Sequence, residues 1–277
     1  MMASAPSLPS VAAPFDAVAE TYDEVFTESL IGRAQRDSVW LELDRCFCYG
    51  QRILELNCGT GVDAIHLAER GVATLAYDAA PRMIEVARRR LKVAKVLAKV
   101  GFQVLATEDI GRLEDEGPFD GAFSNFAGLN CIENLRNVAR DLALLVRPRG
   151  WFVAVMAGRF VAWEVIWYLA HGNQGKALRR FHRNGVTARL AEGMTLKVHY
   201  PSVRDMARMF APEFKLRWWK GVGVAVPPSY LENVARKHPV VLNMAAKADR
   251  WLGWCPLLRA AADHVLLAFE RRQGHRG

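Results

Sequence analysis

The 277-residue sequence has no Cys-x-x-Cys pair, because its five cysteines, Cys46, Cys48, Cys58, Cys131 and Cys255, are scattered. Such spacing supplies neither a zinc ligand set nor a disulfide framework, and it suits reduced thiols in a cytoplasmic setting. No apolar run approaches the roughly 18 residues of a membrane span. The opening MMASAPSLPSVA lacks both a basic run and a long apolar core, so residues 1–13 read as a flexible tail rather than a signal peptide. None of the six tyrosines has a lysine four residues on, which removes one common proton relay for hydride chemistry.

What is present is a strand, a glycine-rich turn and a helix in immediate succession. QRILEL alternates into an apolar strand, ELNCGTGVDA turns, and VDAIHLAERG places Ile65, Leu67 and Ala68 on a helix that stops at Gly71. Gly59 and Gly61 lack a Cβ, so the backbone can bend sharply, admit a ligand to contact distance and aim helical amides at it. A second strand, VATLAYD, ends in Asp78, 17 residues beyond Gly61. A carboxylate at that spacing can accept from both hydroxyls of a ribose. Strand, turn, helix, strand and acid in this order point to a nucleotide-bearing ligand.

Gly59, Gly61 and Ala64 also fit the G-x-G-x-x-A fingerprint of nicotinamide-dependent oxidoreductases. Against that stand the missing relay, the roughly 50 residues before the turn, and Glu55, an acid where a dinucleotide-binding strand usually stays apolar. A carboxylate there suits a cationic or amine-bearing ligand better than a pyrophosphate.

With these residues the sequence resembles the class I S-adenosylmethionine-dependent methyltransferases, particularly the small-molecule branch of the ubiquinone and menaquinone methyltransferases. The resemblance covers about residues 14–156. It implies an α/β, Rossmann-like fold: a seven-stranded, mostly parallel sheet with an antiparallel C-terminal hairpin edge and helical lid insertions. It implies S-adenosyl-L-methionine as cofactor, with Glu55, Asn57, Gly59 and Gly61 at its methionine part and Asp78 at its ribose. Ala79 and Met83 would line the adenosine, and Asp109 with Ile110, or Glu108 in that role, would meet the adenine. Asn125 falls at the end of the fourth strand, in SNFAG, where the chain passes the reactive methyl. FDAVAETYDEVF resembles the helix that closes over the cofactor, with Tyr22 and Arg33 reaching the methionine carboxylate. Asn57 departs from the family's glycine, but asparagine tolerates left-handed φ, so the turn is expected to survive. Two alternatives stay open: a cofactor-binding partner protein without chemistry, and a nicotinamide-dependent oxidoreductase.

Charge divides the chain. Residues 1–139 hold 14 Lys/Arg against 20 Asp/Glu, the rest hold 23 against 9, and seven of the eight tryptophans follow residue 150. One methyltransferase domain over 14–277 is expected, with insertions at about 157–200 and 225–258. These would sit above the carboxyl ends of the strands as a lid and an acceptor pocket lined partly by tryptophans. Ser202 and Asp205 are spaced as a helix cap. A base is needed only if the acceptor loses a proton, and His171, His199 and Tyr200 are the polar candidates. His66 reads as packing. The acceptor is expected to be small and apolar or aromatic. The basic half has three readings: a solvated surface, peripheral contact with an anionic membrane, or nucleic acid. The last is disfavoured, since no nucleic-acid module is present and SNFAG replaces the Pro-Pro-aromatic signature of base methyltransferases. No metal site is expected, and no motif sets an oligomeric state.

Overall fold

The computed structural model describes residues 12–182, 184–191 and 193–273. Of the expected 1–13 tail, residues 1–11 lie outside the described residues, and the last two already belong to helix α1 (Ala12–Val18).

Five strands run parallel: β1 (Arg52–Leu56), β2 (Ala73–Asp78), β3 (Val100–Val104), β4 (Phe119–Ser124) and β5 (Val146–Ala157). Helices α2 (Leu30–Cys46), α3 (Val62–Glu69), α4 (Pro81–Val93) and α5 (Leu135–Leu145) accompany them. Beyond β5 come α6 (Ala162–Ala170), α7 (Gln174–Ala177), strands β6 (Val186–Ala191) and β7 (Met194–Val198), α8 (Val203–Phe210) and β8 (Phe214–Val222). Then follow α9 (Glu232–Lys237), α10 (Pro239–Leu252) and β9 (His264–Arg271). The main sheet has the order β3-β2-β1-β4-β5-β9-β8. Strand order reverses between β1 and β4, and that switch point opens a crevice at the carboxyl ends of the strands.

The main sheet has the seven strands that the resemblance implies, and the last two do pair antiparallel. Their placement is more particular than a hairpin at the edge. β9 lies inside the sheet, antiparallel to β5 as well, and β8 takes the edge. The near-continuous apolar run HVLLAF suits a strand buried on both faces, whereas FKLRWWKGV alternates as an edge strand does. Because β9 runs in reverse, its first residue, His264, pairs with Ala157 and Val222 at the last positions of β5 and β8. The start of β9 is thereby brought to the ligand-binding edge of the sheet.

One face of the sheet packs a phenylalanine cluster, with Phe210 5.1 Å from Phe152 and 5.0 Å from Phe269 between ring centroids. On the other face α2 sets Val39 and Leu43 against Ile53, Phe123 and Val153. Ser202 and Asp205 form the expected reciprocal cap on α8, each side chain accepting the other's backbone N–H. The hairpin β6–β7 is unanticipated, although VTARLA and MTLKV both alternate apolar with polar or charged residues. Gly193, at φ +69°, lies in its turn, Leu196 is buried, and both strands pack over α1.

Candidate active site

The glycine turn between β1 and α3 is built from three left-handed residues, Asn57 (φ 56°), Gly59 (φ 51°) and Gly61 (φ 75°). Asn57 does keep the turn. Its amide donates to Thr107 Oγ1 (2.8 Å) while its carbonyl accepts from Ser124 Oγ (3.3 Å), which ties the turn to the ends of β3 and β4. A side chain at Gly59 would meet no atom of the described residues within 4 Å, which leaves space above it for a ligand. Gly61 has no such room, because a Cβ there would lie 2.6 Å from Phe102 and 2.8 Å from Ala87. Gly61→Ala is expected to cost about 2 kcal/mol or more through strained φ and the clash. A thermal melt checks this, and an unchanged Tm contradicts it.

Asp78 closes the other side of the crevice. Its carboxylate accepts the N–H groups of Gly59 and Ala80, both at 2.9 Å, and Ala79 and the buried Met83 stand beside it. Across from it, Asp63 at the start of α3 accepts from Arg36 Nη1 (2.6 Å), Trp40 Nε1 (2.6 Å) and Asn125 Nδ2 (2.9 Å). His66 stacks on Trp40 at 3.8 Å and pairs with Asp44, so it holds the indole in place. From above, the N-terminal segment closes the crevice: Phe15 and Tyr22 line it, and Asp23 accepts from Thr60 Oγ1 (2.7 Å) and pairs with Arg90.

The crevice is rich in carboxylates. Glu55 lies beneath the turn, 1 % exposed and outside the crevice lining, with Oε2 lacking a hydrogen-bond partner among the described residues. Burial pushes its carboxyl well above the usual range, and the Asp63 charge adds to that while Arg36 opposes it. Burial also raises Asp78, against the lowering effect of its two amide donors. Burial opposes ionisation of Asp63 too, but the Arg36 charge and the three donors outweigh it and hold that group low. Burial pushes the Tyr22 phenol up to about 12, with Asp78 and Asp63 adding to the shift, so it stays protonated and can donate. Asp63 and Asp78 line the crevice against one guanidinium, Arg36, which favours a cation and disfavours a diphosphate.

A second, larger cavity of about 350 Å³ adjoins the first and shares Phe15, Tyr22, Arg36 and Phe126 with it. Phe126 and Ala127, after β4, both hold positive φ (43° and 66°), a strain that aims the Phe126 ring between the two spaces. His264 faces this cavity edge-on to Phe126, 5.3 Å away. Its Nδ1 is buried without a hydrogen-bond partner among the described residues and lies 3.4 Å from Asp263 Oδ2. Burial lowers the His264 pKa, and the Asp263 charge only partly offsets this, so the ring is neutral near pH 7. Gln35 Nε2 donates to the same Asp263 oxygen at 3.2 Å. Glu164, 2 % exposed, holds Arg179 (2.7 Å) and Arg180 (2.6 Å) on the wall of this cavity.

Several expectations from the sequence are corrected by this geometry. Arg33 is exposed in a groove against α10, and Arg36, one turn on, occupies the crevice instead. Ile110 is part of the hydrophobic core and Asp109 lies half-buried near Arg112 at 3.5 Å; neither lines the crevice. His171 is exposed and bonded to Trp167 O of its own helix. His199 and Tyr200 line a separate hollow with Asp205, and the Arg180 guanidinium lies 5.1 Å over the Tyr200 ring. None of these three reaches the acceptor-sized cavity. No tryptophan lines it either: its aromatic wall is Phe15, Tyr22, Phe26, Phe126 and Tyr230, while Trp151, Trp218 and Trp254 cluster beside Glu42. Sequence reasoning missed Arg36, Asp63 and the Asp263–His264 pair; the adjacent Asp-His opening an apolar strand was the available signal.

A methyltransferase-domain family model matches residues 53–150, the segment from β1 to the start of β5. The chain is 31% identical over 143 residues to the demethylmenaquinone methyltransferase of Clavibacter sepedonicus, covering 52% of this chain and 56% of that one. It is 31% identical over 96 residues to a ubiquinone biosynthesis O-methyltransferase of Xanthomonas campestris, covering 35% and 36%. The chain thus spans about half the length, or less, of these curated relatives. A putative S-adenosylmethionine-dependent methyltransferase from Listeria monocytogenes superposes with a TM-score of 0.57 at 18% identity, over 86% of this chain and 98% of that one. Residues 53–150 thus match a methyltransferase domain, and the fold around them is shared with an S-adenosylmethionine-dependent methyltransferase structure.

Proposed function

We propose that the chain transfers a methyl group from S-adenosylmethionine to a small, apolar or aromatic acceptor seated in the larger cavity. The observation that carries this is the shared wall of the two cavities, where Tyr22, Arg36 and Phe126 face both a cation-favouring crevice and an aromatic-lined space. The residues fit the cofactor. Asp78 would take the ribose hydroxyls, with Ala79 and Met83 at the adenosine, and the Gly59 turn would pass the methionine part. Arg36, whose buried Nε lacks a partner among the described residues, and Tyr22 would meet its carboxylate. When bound, the sulfonium supplies a methyl carbon already activated for attack. The protein's share is to orient the acceptor against Phe126, exclude water, and hold a proton acceptor at His264. That base suits an acceptor that loses a proton, such as a phenol or an activated ring carbon. The printed names of the two quinone-pathway relatives agree with an aromatic acceptor. An apolar acceptor also agrees with a cytoplasmic enzyme working at an anionic membrane surface.

The test is transfer of isotopic methyl from S-adenosylmethionine into an organic extract of small molecules, resolved by mass. The expected product carries one added methyl group and is extractable. A chain that binds S-adenosylhomocysteine yet labels nothing in any extract would leave the cofactor-binding partner without chemistry as the better reading.

The raised carboxyl of Asp78, which lines the crevice, gives a pH prediction. Binding a cation favours its ionised form, so protons leave on binding and affinity for adenosylmethionine rises with pH as that carboxyl ionises. Calorimetry in buffers of different ionisation heat is expected to show proton release, and to show less with the neutral thioether of adenosylhomocysteine. Equal heats in all buffers contradict it.

A further inference from the structure

α10 is apolar on both sides. Its inner side sets Leu242, Ala245 and Ala246 against Ile31, Val226 and Leu231, and its Asp249 accepts the N–H groups of Ala225 and Val226. The opposite side carries Val240, Met244 and Trp251, which are 71, 67 and 82% exposed. At 100° per residue these three fall within one narrow stripe. Val241 borders the stripe, and Leu257, 88% exposed, follows in the next turn.

The exposed charge on α9 and α10 themselves is positive, while Asp37 of α2 shares the groove that Lys247 and Arg250 line. Between 225 and 258 the only acids are Glu232 and Asp249. Asp249 is buried, and Glu232 is spent on the N–H groups of Leu30 and Ile31 and on Arg236. Lys237, Lys247 and Arg250 are exposed and have no acidic partner within 4.0 Å among the described residues. Lys247 and Arg250 fall along one edge of the stripe.

We propose that this face docks on an anionic lipid surface. α10 lies in the plane of the interface, with Met244, Trp251 and Leu257 at the acyl boundary and Lys237, Lys247 and Arg250 at the headgroup phosphates. Tryptophan favours that boundary because its ring is apolar and its N–H is polar. A second copy of the chain fits less well, since a self-complementary contact sets the same positive charges against each other. Nucleic acid also fits less well, since the stripe offers aliphatic side chains and a single aromatic platform rather than successive stacking rings. The inference rests on α10 and not on the methyl-transfer reading. The turn before α9 carries Tyr230, a wall of the larger cavity, so docking keeps that cavity near lipid.

The test is co-sedimentation of the full chain with phosphatidylcholine vesicles, with and without phosphatidylglycerol, at low and high salt. Binding is expected only with phosphatidylglycerol, and it falls as salt rises. Lys247→Gln with Arg250→Gln is expected to weaken partitioning by about thirtyfold, and Met244→Ser with Trp251→Ser by about tenfold or more. All four side chains are exposed, so an unchanged Tm verifies folding in both variants. Three results would overturn the proposal. One is no partitioning of the parent chain at low salt. Another is partitioning that both variants retain. The third is a dimer or an RNA complex that forms through this face in place of vesicle binding and is lost in the variants.

Discussion

His264→Asn is expected to cut turnover of the acceptor by about 10²- to 10⁴-fold while leaving affinity for S-adenosylhomocysteine nearly unchanged. The ring faces the larger cavity and not the cofactor crevice, so the effect belongs in kcat rather than in cofactor binding. The sign of the pH dependence follows from its shift. Only the neutral ring accepts a proton, and burial lowers its pKa below the ordinary value of about 6.5. The rate is therefore flat near neutrality and falls as pH drops through the lowered pKa, and the asparagine variant has no such acid limb. Asp263→Asn removes the charge that keeps the imidazole basic, so the limb moves to still lower pH and the plateau drops. Equal turnover by His264→Asn would make the ring part of the packing around Phe126.

Asp78→Ala is expected to weaken S-adenosylhomocysteine binding by about 150-fold, near 3 kcal/mol, from the loss of charge-assisted acceptance at two ribose hydroxyls. The carboxylate is already aimed by the amides of Gly59 and Ala80, so little ordering is left to the ligand. Asp78→Asn keeps one acceptor oxygen but loses the charge and should fall between the two. Calorimetry reads the affinities directly, and a variant that binds like the parent refutes a role for Asp78 at the ribose.

The sheet was legible because its signals are local: alternating or continuous apolar runs give the strands, and the glycines give the turn between them. Asp78 stands at a strand end, so its position followed from the same pattern. Arg36 was not legible, because the buried face of α2 runs through Gln35, Ser38 and Glu42 as well as Ile31, Val39 and Leu43. Those polar members blur the stripe from which helical phase is read, and Arg33 and Arg36 could not be told apart. Ile110 went astray because β3 stops at Val104 and a 3₁₀ turn over 107–116 rolls it into the core. His264 depends on topology: only the reversal of β9 between β5 and β8 brings its first residue to the edge of the larger cavity, and strand direction is not written in a ten-residue window. The tryptophans went to packing and surface positions, since burial of large rings outweighs their use as a recognition wall.

The most direct measurement is a calorimetric titration of the intact chain with S-adenosylhomocysteine and, separately, with NAD and NADP. Asp63 paired with Arg36, and Asp78 at the ribose position, predict saturable one-site heat with S-adenosylhomocysteine and none with either dinucleotide. Binding of NAD or NADP, with no heat from S-adenosylhomocysteine, would contradict the cation-favouring crevice and the methyl-transfer reading with it.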